Sequence, residues 1–205
     1  MTVARSRTRE DVVRAASRLF ASRGYHGTSM RDLAREVGVL GSSLYSHIDS
    51  KEDLLVEIVE IGAALFRSAA DRATGQGGTG ADQLAALVTG HIDVVLDHLD
   101  EARTFLYEAN ALDDTHREKV LAARDQYEAV FRRAFQTGVA DGSFRPDIDT
   151  KLAAILVLSI LNAIERWYRP GGDLSRLRLA QTVMGFALDG LRSQGRQSGT
   201  SRIAR

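Results

Sequence analysis

The stretch Leu40-Gly41-Ser42-Ser43-Leu44-Tyr45-Ser46-His47 surrounds a single inward leucine with small, hydroxyl-bearing and imidazole side chains. Its chemistry is recognition, not bond making. Gly41, Ser42 and Ser43 leave room for a helix N-terminus and its amides to approach a polyanion, and the hydroxyls of Thr28, Ser29, Ser43 and Tyr45 can bond phosphate oxygens. Arg5, Arg7 and Arg9 precede them as an arm able to reach a DNA backbone or minor groove. Eight arginines (Arg5, Arg7, Arg9, Arg14, Arg18, Arg23, Arg31, Arg35) against Glu10, Asp11, Asp32 and Glu36 give residues 1–48 a charge of +4. The chain totals zero, so the remainder carries −4. A basic head on an acidic body fits a protein that meets a polyanion at one end.

Polar residues recur on apolar faces further along. His91 and His98 are seven apart, two helical turns or about 10 Å, too far to share one metal ion without a second helix. No metal site is expected. Tyr107, Glu108, Ser159 and Asn162 fall in or near apolar helices that also carry Val95, Tyr127 and Phe131. Each polar member is a group facing a ligand cavity or a hydrogen-bonded core residue. Asn162 is the best cavity candidate, because it interrupts an apolar helix where an unpaired amide is costly. The chain has no cysteine, which removes thiol nucleophiles, disulfides and thiolate metal sites. It has no zinc-binding His-Glu pair motif, nucleophile elbow or P-loop. Glycine-rich Thr74 to Gly80 matches no nucleotide fingerprint and reads as a loop. Neither an enzyme nor a cofactor is expected.

The elements that position these residues are helical. Val12, Val13, Ala16, Leu19 and Phe20 make the apolar face of a first helix that stops near Gly24. Thr28 or Ser29 caps a second helix, with Asp32 completing a capping box, and Gly38 ends it. A short third helix is predicted over Gly41 to His47. Ser50 caps a fourth, with Asp53 completing a second box. Helical spacing then covers Leu84 to His98, Ala102 to Ala111, Thr115 to Ala140, Asp149 to Tyr168 and Leu174 to Leu191. The segment Asp149 to Tyr168 is apolar nearly all round and must be buried on more than one side. The fold class is all-α, about nine helices: a helix-turn-helix domain with its arm at 1–49, a ligand-binding and dimerisation domain at 50–192, and a disordered tail at 193–205. Leu152 to Ile164, the longest uncharged stretch, is too short to span a bilayer. A cytoplasmic, nucleoid-associated location is expected.

Residues 8–55 resemble the DNA-binding domain of the TetR family. The pattern stands in Ala15-Ala16, Leu19-Phe20, Gly24-Tyr25, Thr28-Ser29-Met30-Arg31-Asp32-Leu33-Ala34, Val37-Gly38-Val39, Leu44-Tyr45, His47 and Ser50-Lys51-Glu52-Asp53-Leu54-Leu55. The resemblance implies phosphate contacts from Thr28, Ser29, Tyr45, His47 and Lys51, and a groove-facing set of Leu40, Gly41, Ser42, Ser43 and Ser46. Gly41 stands where many members carry Lys, which bears on base readout; Ile48 stands where an aromatic is usual. Gly142 to Asp147 and Arg166 to Gly172, with Leu40, resemble a branch of the family that senses acyl-CoA thioesters in fatty-acid and sterol breakdown. Arg166 to Gly172 also reads as a helix cap and corner.

These features together imply a homodimeric repressor on a palindromic operator, released by a small lipophilic effector. Leu177, Ala180, Met184, Ala187 and Leu188 are the predicted dimer interface. The effector residues are His91, Val95, Tyr107, Glu108, Tyr127, Phe131, Ser159, Asn162 and Arg166. For an acyl-CoA the anionic nucleotide would lie near Arg103, Arg166 or Arg169. A cationic drug-like effector, needing a buried acceptor such as Glu108, is the alternative; a ligand-independent DNA-binding protein is another.

Overall fold

The computed structural model describes residues 8–169 and 171–191, with side chains through residue 187. The described residues form nine α-helices and one short 3-10 helix, with no strand. Helix α1 (Arg9–Arg23) opens on Thr8, whose amide bonds the Asp11 carboxylate at 3.0 Å while its hydroxyl accepts from the Asp11 amide, and closes at Gly24. Helix α2 (Met30–Val37) repeats this start with Ser29 and Asp32. It ends on left-handed Gly38, where φ of 77° favours a residue without a Cβ. Helix α3 is shorter than the sequence suggests, Gly41–Leu44, and is continued by a tighter turn in which the Ser46 and His47 amides bond the Ser43 and Leu44 carbonyls. Helix α4 (Lys51–Gly75) opens on Ser50. The expected capping box is only half formed, because the Asp53 carboxylate accepts from the Ser50 hydroxyl at 2.8 Å, not from its amide.

Helix α4 runs on to Gly75, so the glycine-rich connection shrinks to residues 76–79, and Thr79 with Asp82 builds a full capping box for α5 (Gly80–Asp97). Then follow α6 (Leu99–Tyr107), the 3-10 helix Glu108–Ala111, α7 (Asp114–Ala140), α8 (Thr150–Trp167) and α9 (Arg176–Leu191). One core joins them: Phe20, Leu33, Leu44, Leu54, Leu55 and Ile58 at one end, Phe66, Leu84, Leu87, Phe131 and Phe135 at the other. Helices α5 and α7 touch backbone to backbone at Gly80, where a Cβ would stand 2.1 Å from the Gly138 nitrogen. Gly80→Ala should therefore cost about 3 kcal/mol in a denaturant titration, the upper end of the overpacking range, since backbone must move. Gly75→Ala, whose Cβ would meet nothing, should not destabilise.

The last two helices correct the predicted interface. Helix α9 is apolar on two faces, and the face turned inward carries Leu179, Ala180, Val183, Met184 and Ala187. Ala180 and Met184 therefore belong to the protomer's own core, while Ala187, also buried, borders a cleft between α8 and α9. Small and flexible side chains suit that close packing against α5. Leu177 and Phe186 point outward, 68% and 71% exposed. Helix α8 turns Ala153, Ala154, Val157, Leu161 and Ile164 inward and leaves Leu152, Ile155 and Leu156 exposed. The second side that its all-round apolar sequence demands is thus uncovered within one protomer. The Leu188 side chain, Arg5, Arg7 and the segment 193–205 lie outside the described residues. Among the described residues no helix is long and apolar enough to cross a membrane.

Candidate DNA-binding surface and effector cavity

Helices α2 and α3 meet at the Gly38-Val39 turn, and Leu44 and Ile48 anchor α3 from beneath. That anchoring forces the rest of the turn outward. Leu40 is 76% and Tyr45 58% exposed, and Gly41, Ser42, Ser43 and Ser46 are exposed with them, as the groove-facing assignment requires. A notch of about 480 Å³ between the two helices is lined by Met30, Arg31, Ala34, Arg35, Val39, Leu40, Gly41 and Tyr45. Arg31 and Arg35 join the surface here; they entered the sequence analysis only as charges. The Ser46 hydroxyl donates to the Ser43 carbonyl at 2.7 Å and keeps only acceptor capacity, and His47 is half-buried.

Two predicted phosphate contacts are otherwise engaged. Thr28 is buried, and its hydroxyl donates to the Gly24 carbonyl at 3.0 Å, tying the end of α1 to the start of α2. Lys51 sends its ammonium inward to the Tyr25 and Thr28 carbonyls at 2.9 and 2.8 Å, above the Tyr25 ring. Both residues shape the turn that presents the surface. Ser29 stays exposed as the α2 cap.

The head is also fastened to the body. Glu108, predicted as an effector acceptor, instead takes the Tyr25 amide at 3.2 Å. Arg103, predicted near the nucleotide part of a thioester, bonds the buried Glu165 carboxylate at 2.7 Å, the Glu165 carbonyl at 3.2 Å and the Ala21 carbonyl of α1 at 3.3 Å. Ser17 adds a hydrogen bond to Glu101 at 3.0 Å. These partners are 62 to 84 residues apart in sequence, so no local pattern announces them.

Within the body, a cavity of about 90 Å³ gathers His91, Tyr127 and Asn162 from the predicted set with Phe66, Phe105, Leu106, Arg124 and Leu158, which the sequence analysis missed. Val95 and Phe131 are fully buried core that does not line it. Ser159 is exposed and does not line the chamber; its hydroxyl is returned to the Ile155 carbonyl at 2.7 Å. Tyr107 is partly exposed, donates to the Asn162 carbonyl at 3.2 Å and lies under the exposed Arg166 guanidinium. His98 is exposed at the α5–α6 junction, away from His91. The ligand cavity expected from the sequence is represented among these residues by this small chamber. The longer space is an open groove between α4 and α7. One part, about 350 Å³, shares Phe66, Phe105 and Tyr127 with the chamber; the next, about 470 Å³, shares Ala63, Arg67, Ala123 and Gln126 with the first. Arg67, Lys119 and Arg133 line this groove, with Glu60 and Asp71 as its acids.

The His91 Nδ1 faces the Tyr127 hydroxyl at 3.2 Å, and burial pushes the imidazole down to about 3, so the ring is neutral. Burial raises the Tyr127 hydroxyl and lowers the Arg124 guanidinium from their ordinary values. The folded protein thus refuses a proton on His91 that the unfolded chain accepts near 6.5. The stability held by the neutral ring is present above 6.5 and is lost as pH falls toward about 3. Acid unfolding of wild type should begin before the carboxylates titrate, and that early component should be missing in His91→Gln.

Comparisons with known proteins agree with this arrangement. Residues 12–58 match the family described as bacterial regulatory proteins, tetR family, and residues 77–191 match the tetracyclin repressor-like C-terminal domain. The chain is 31% identical over 193 residues to the HTH-type transcriptional repressor KstR2 of Rhodococcus jostii, covering 94% of this chain and 95% of that one. The ketosteroid transcriptional regulator KstR2 of Mycobacterium tuberculosis has the same fold, with a TM-score of 0.85 at 24% identity over 91% of this chain and 95% of that one. AibR, solved with isovaleryl coenzyme A and operator DNA, superposes with a TM-score of 0.78 at 27% identity, covering 87% of this chain and 96% of that one. An all-helical chain with an exposed helix-turn-helix, matched by both domain families across most of its length, belongs to the TetR family of bacterial transcriptional regulators.

Proposed function

We propose that this chain is a ligand-responsive repressor that binds a palindromic operator as a homodimer and leaves it when an acyl-CoA thioester binds. The observation that carries the effector is the chamber that shares Phe66, Phe105 and Tyr127 with an adjoining groove bordered by Arg67, Lys119 and Arg133. An acyl part would lie inward and the anionic nucleotide part at the basic border, in place of the Arg103, Arg166 or Arg169 surroundings first expected. The AibR complex with isovaleryl coenzyme A and operator DNA supports this effector class. A cationic effector loses the acceptor first assigned to it, since Glu108 takes the Tyr25 amide, and would have to use Glu60 or Asp71 of the groove. In this reading residues 1–49 hold operator, 50–192 hold effector and partner, and the protein works in the cytoplasm on the nucleoid. Arg5 and Arg7 extend the contact surface, and Ser29, Tyr45 and His47 hold phosphates.

The test is titration of the protein–operator complex with long-chain acyl-CoA, free fatty acid and hydrophobic cations. Release by the thioester and not by the free acid is expected. Release only by cations, or operator binding unchanged by every acyl-CoA, overturns the effector and leaves the family assignment intact. Selection on random duplexes should return a symmetric site, with binding that weakens steeply as salt rises. Tyr45→Ala should weaken binding to all sequences, whereas substitutions at Ser42 or Ser43 should change the preference among them.

A further inference from the structure

Three of the four buried side-chain polar atoms that lack a protein partner among the described residues belong to residues bordering the same chamber: His91 Nε2, Arg124 Nε and Asn162 Oδ1. The fourth, Glu57 Oε2, lies against the Arg9 guanidinium. Buried polar groups without partners are costly, and folded proteins keep them few. Their concentration around one space otherwise lined by Phe66, Phe105, Leu106 and Leu158 marks a lining suited to hydrogen-bond something inside.

The donor set says what. Among the described residues Arg124 forms no ion pair; its guanidinium bonds the Phe105 carbonyl and sits 5.3 Å from the Phe105 ring. Its unused Nε–H can only donate. His91 is neutral, and when the Tyr127 hydroxyl donates to Nδ1 the ring proton resides on Nε2, a second donor. The Asn162 amide, rotated about its last bond, offers its NH₂ or its oxygen. An apolar chain end would strand all three. A chamber of about 90 Å³ is also far smaller than the several hundred Å³ of a whole small-molecule site, so it takes one end of a ligand whose remainder continues along the α4–α7 groove.

Resting on the effector reading above, we propose that the chamber recognises an oxygen acceptor, a keto or carboxylate oxygen, at the buried end of the effector, and that Arg124 is the residue that selects it. The effector is then polar at both ends, with an oxygen-bearing group inside and an anionic head outside. Among thioesters, one whose acyl end bears such an oxygen is expected to bind more tightly than one with a plain saturated chain.

The test uses the free full-length protein and small probes that fit the chamber: cyclopentanone, methylenecyclopentane, in which CH₂ replaces the oxygen, and cyclopentanecarboxylate. Binding raises Tm by mass action. Cyclopentanone or cyclopentanecarboxylate should raise the wild-type Tm more than methylenecyclopentane does, and which of the two is stronger identifies the oxygen. Arg124→Met, similar in length but without donors, should lose or invert that order. Asn162→Leu should raise the Tm of the unliganded protein by removing a stranded amide, which keeps a readout if Arg124→Met folds poorly. Three outcomes overturn the proposal: equal or greater stabilisation by methylenecyclopentane, as for a chamber that holds only water; an unchanged order in Arg124→Met; or no shift with any probe. Operator release by thioesters is measured separately. Failure of the repressor-effector reading would appear there, and failure of this inference in the Tm order.

Discussion

Arg103→Ala is expected to lower the unfolding free energy by about 3 kcal/mol, because it leaves the Glu165 carboxylate buried with its main partner gone. The Glu165 side chain is 5% exposed, while Arg103 at 32% places the cost toward the lower end of the range for a broken buried pair. For a chain of this size the loss corresponds to roughly 6 to 12 °C in Tm. Arg166, the other guanidinium near Glu165, is exposed and replaces little of the lost interaction. The double variant Arg103→Met, Glu165→Leu removes both charges, and a thermal unfolding cycle across the four proteins should show it well above the single variant. A double variant as unstable as the sum of its parts would mean that the pair is not coupled. Because Arg103 also holds the Ala21 carbonyl of α1, the double variant, though folded, should show weaker coupling between effector and operator binding.

Leu156→Glu and Phe186→Glu should each yield a folded monomer whose affinity for a full operator drops roughly 10² to 10⁴-fold, the loss of effective concentration when two heads are no longer joined. Both residues are exposed on the protomer, beside a cleft of about 620 Å³ between α8 and α9 that also involves Leu152 and Ile160. A charge there leaves the protomer's own core untouched but is left unpaired in a two-fold seam. Met184→Glu, by contrast, places its charge inside the protomer and should unfold it. Sedimentation equilibrium with circular dichroism separates the cases. Dimeric Leu156→Glu and Phe186→Glu proteins with wild-type operator affinity would move the interface elsewhere.

The helix-turn-helix was legible because its punctuation is local. Ser29 with Asp32 and the glycines 24 and 38 mark starts and stops within four residues of where they act. The same pattern in Thr8 with Asp11 and Thr79 with Asp82 was equally available and marks two further starts. Periodicity alone could not choose between the two apolar faces of α9, so the predicted interface mixed outward Leu177 with inward Ala180, Met184 and Ala187. Glu108 and Arg103 were misassigned for another reason: a lone charge in an apolar helix looks the same whether it awaits a ligand or a main-chain group over eighty residues away. Arg124 was passed over because an arginine on a long helix reads as solvated until its surroundings are known.

The grip on Tyr25 fixes how the head can travel. Glu108 holds its amide and Lys51 its carbonyl, so the α1–α2 corner is clasped from the 3-10 helix and from α4 at one residue. The corner cannot swivel by itself; whatever displaces α4 carries it along. A 25-residue helix is about 37 Å long. Pivoting it by roughly 5° at its far end swings the near end by about 3 Å, close to one base-pair step of a duplex whose turn repeats at about 34 Å. In the proposed homodimer, with two such levers across its dyad, a slight wedge beside Phe66 would change the spacing of both heads at once.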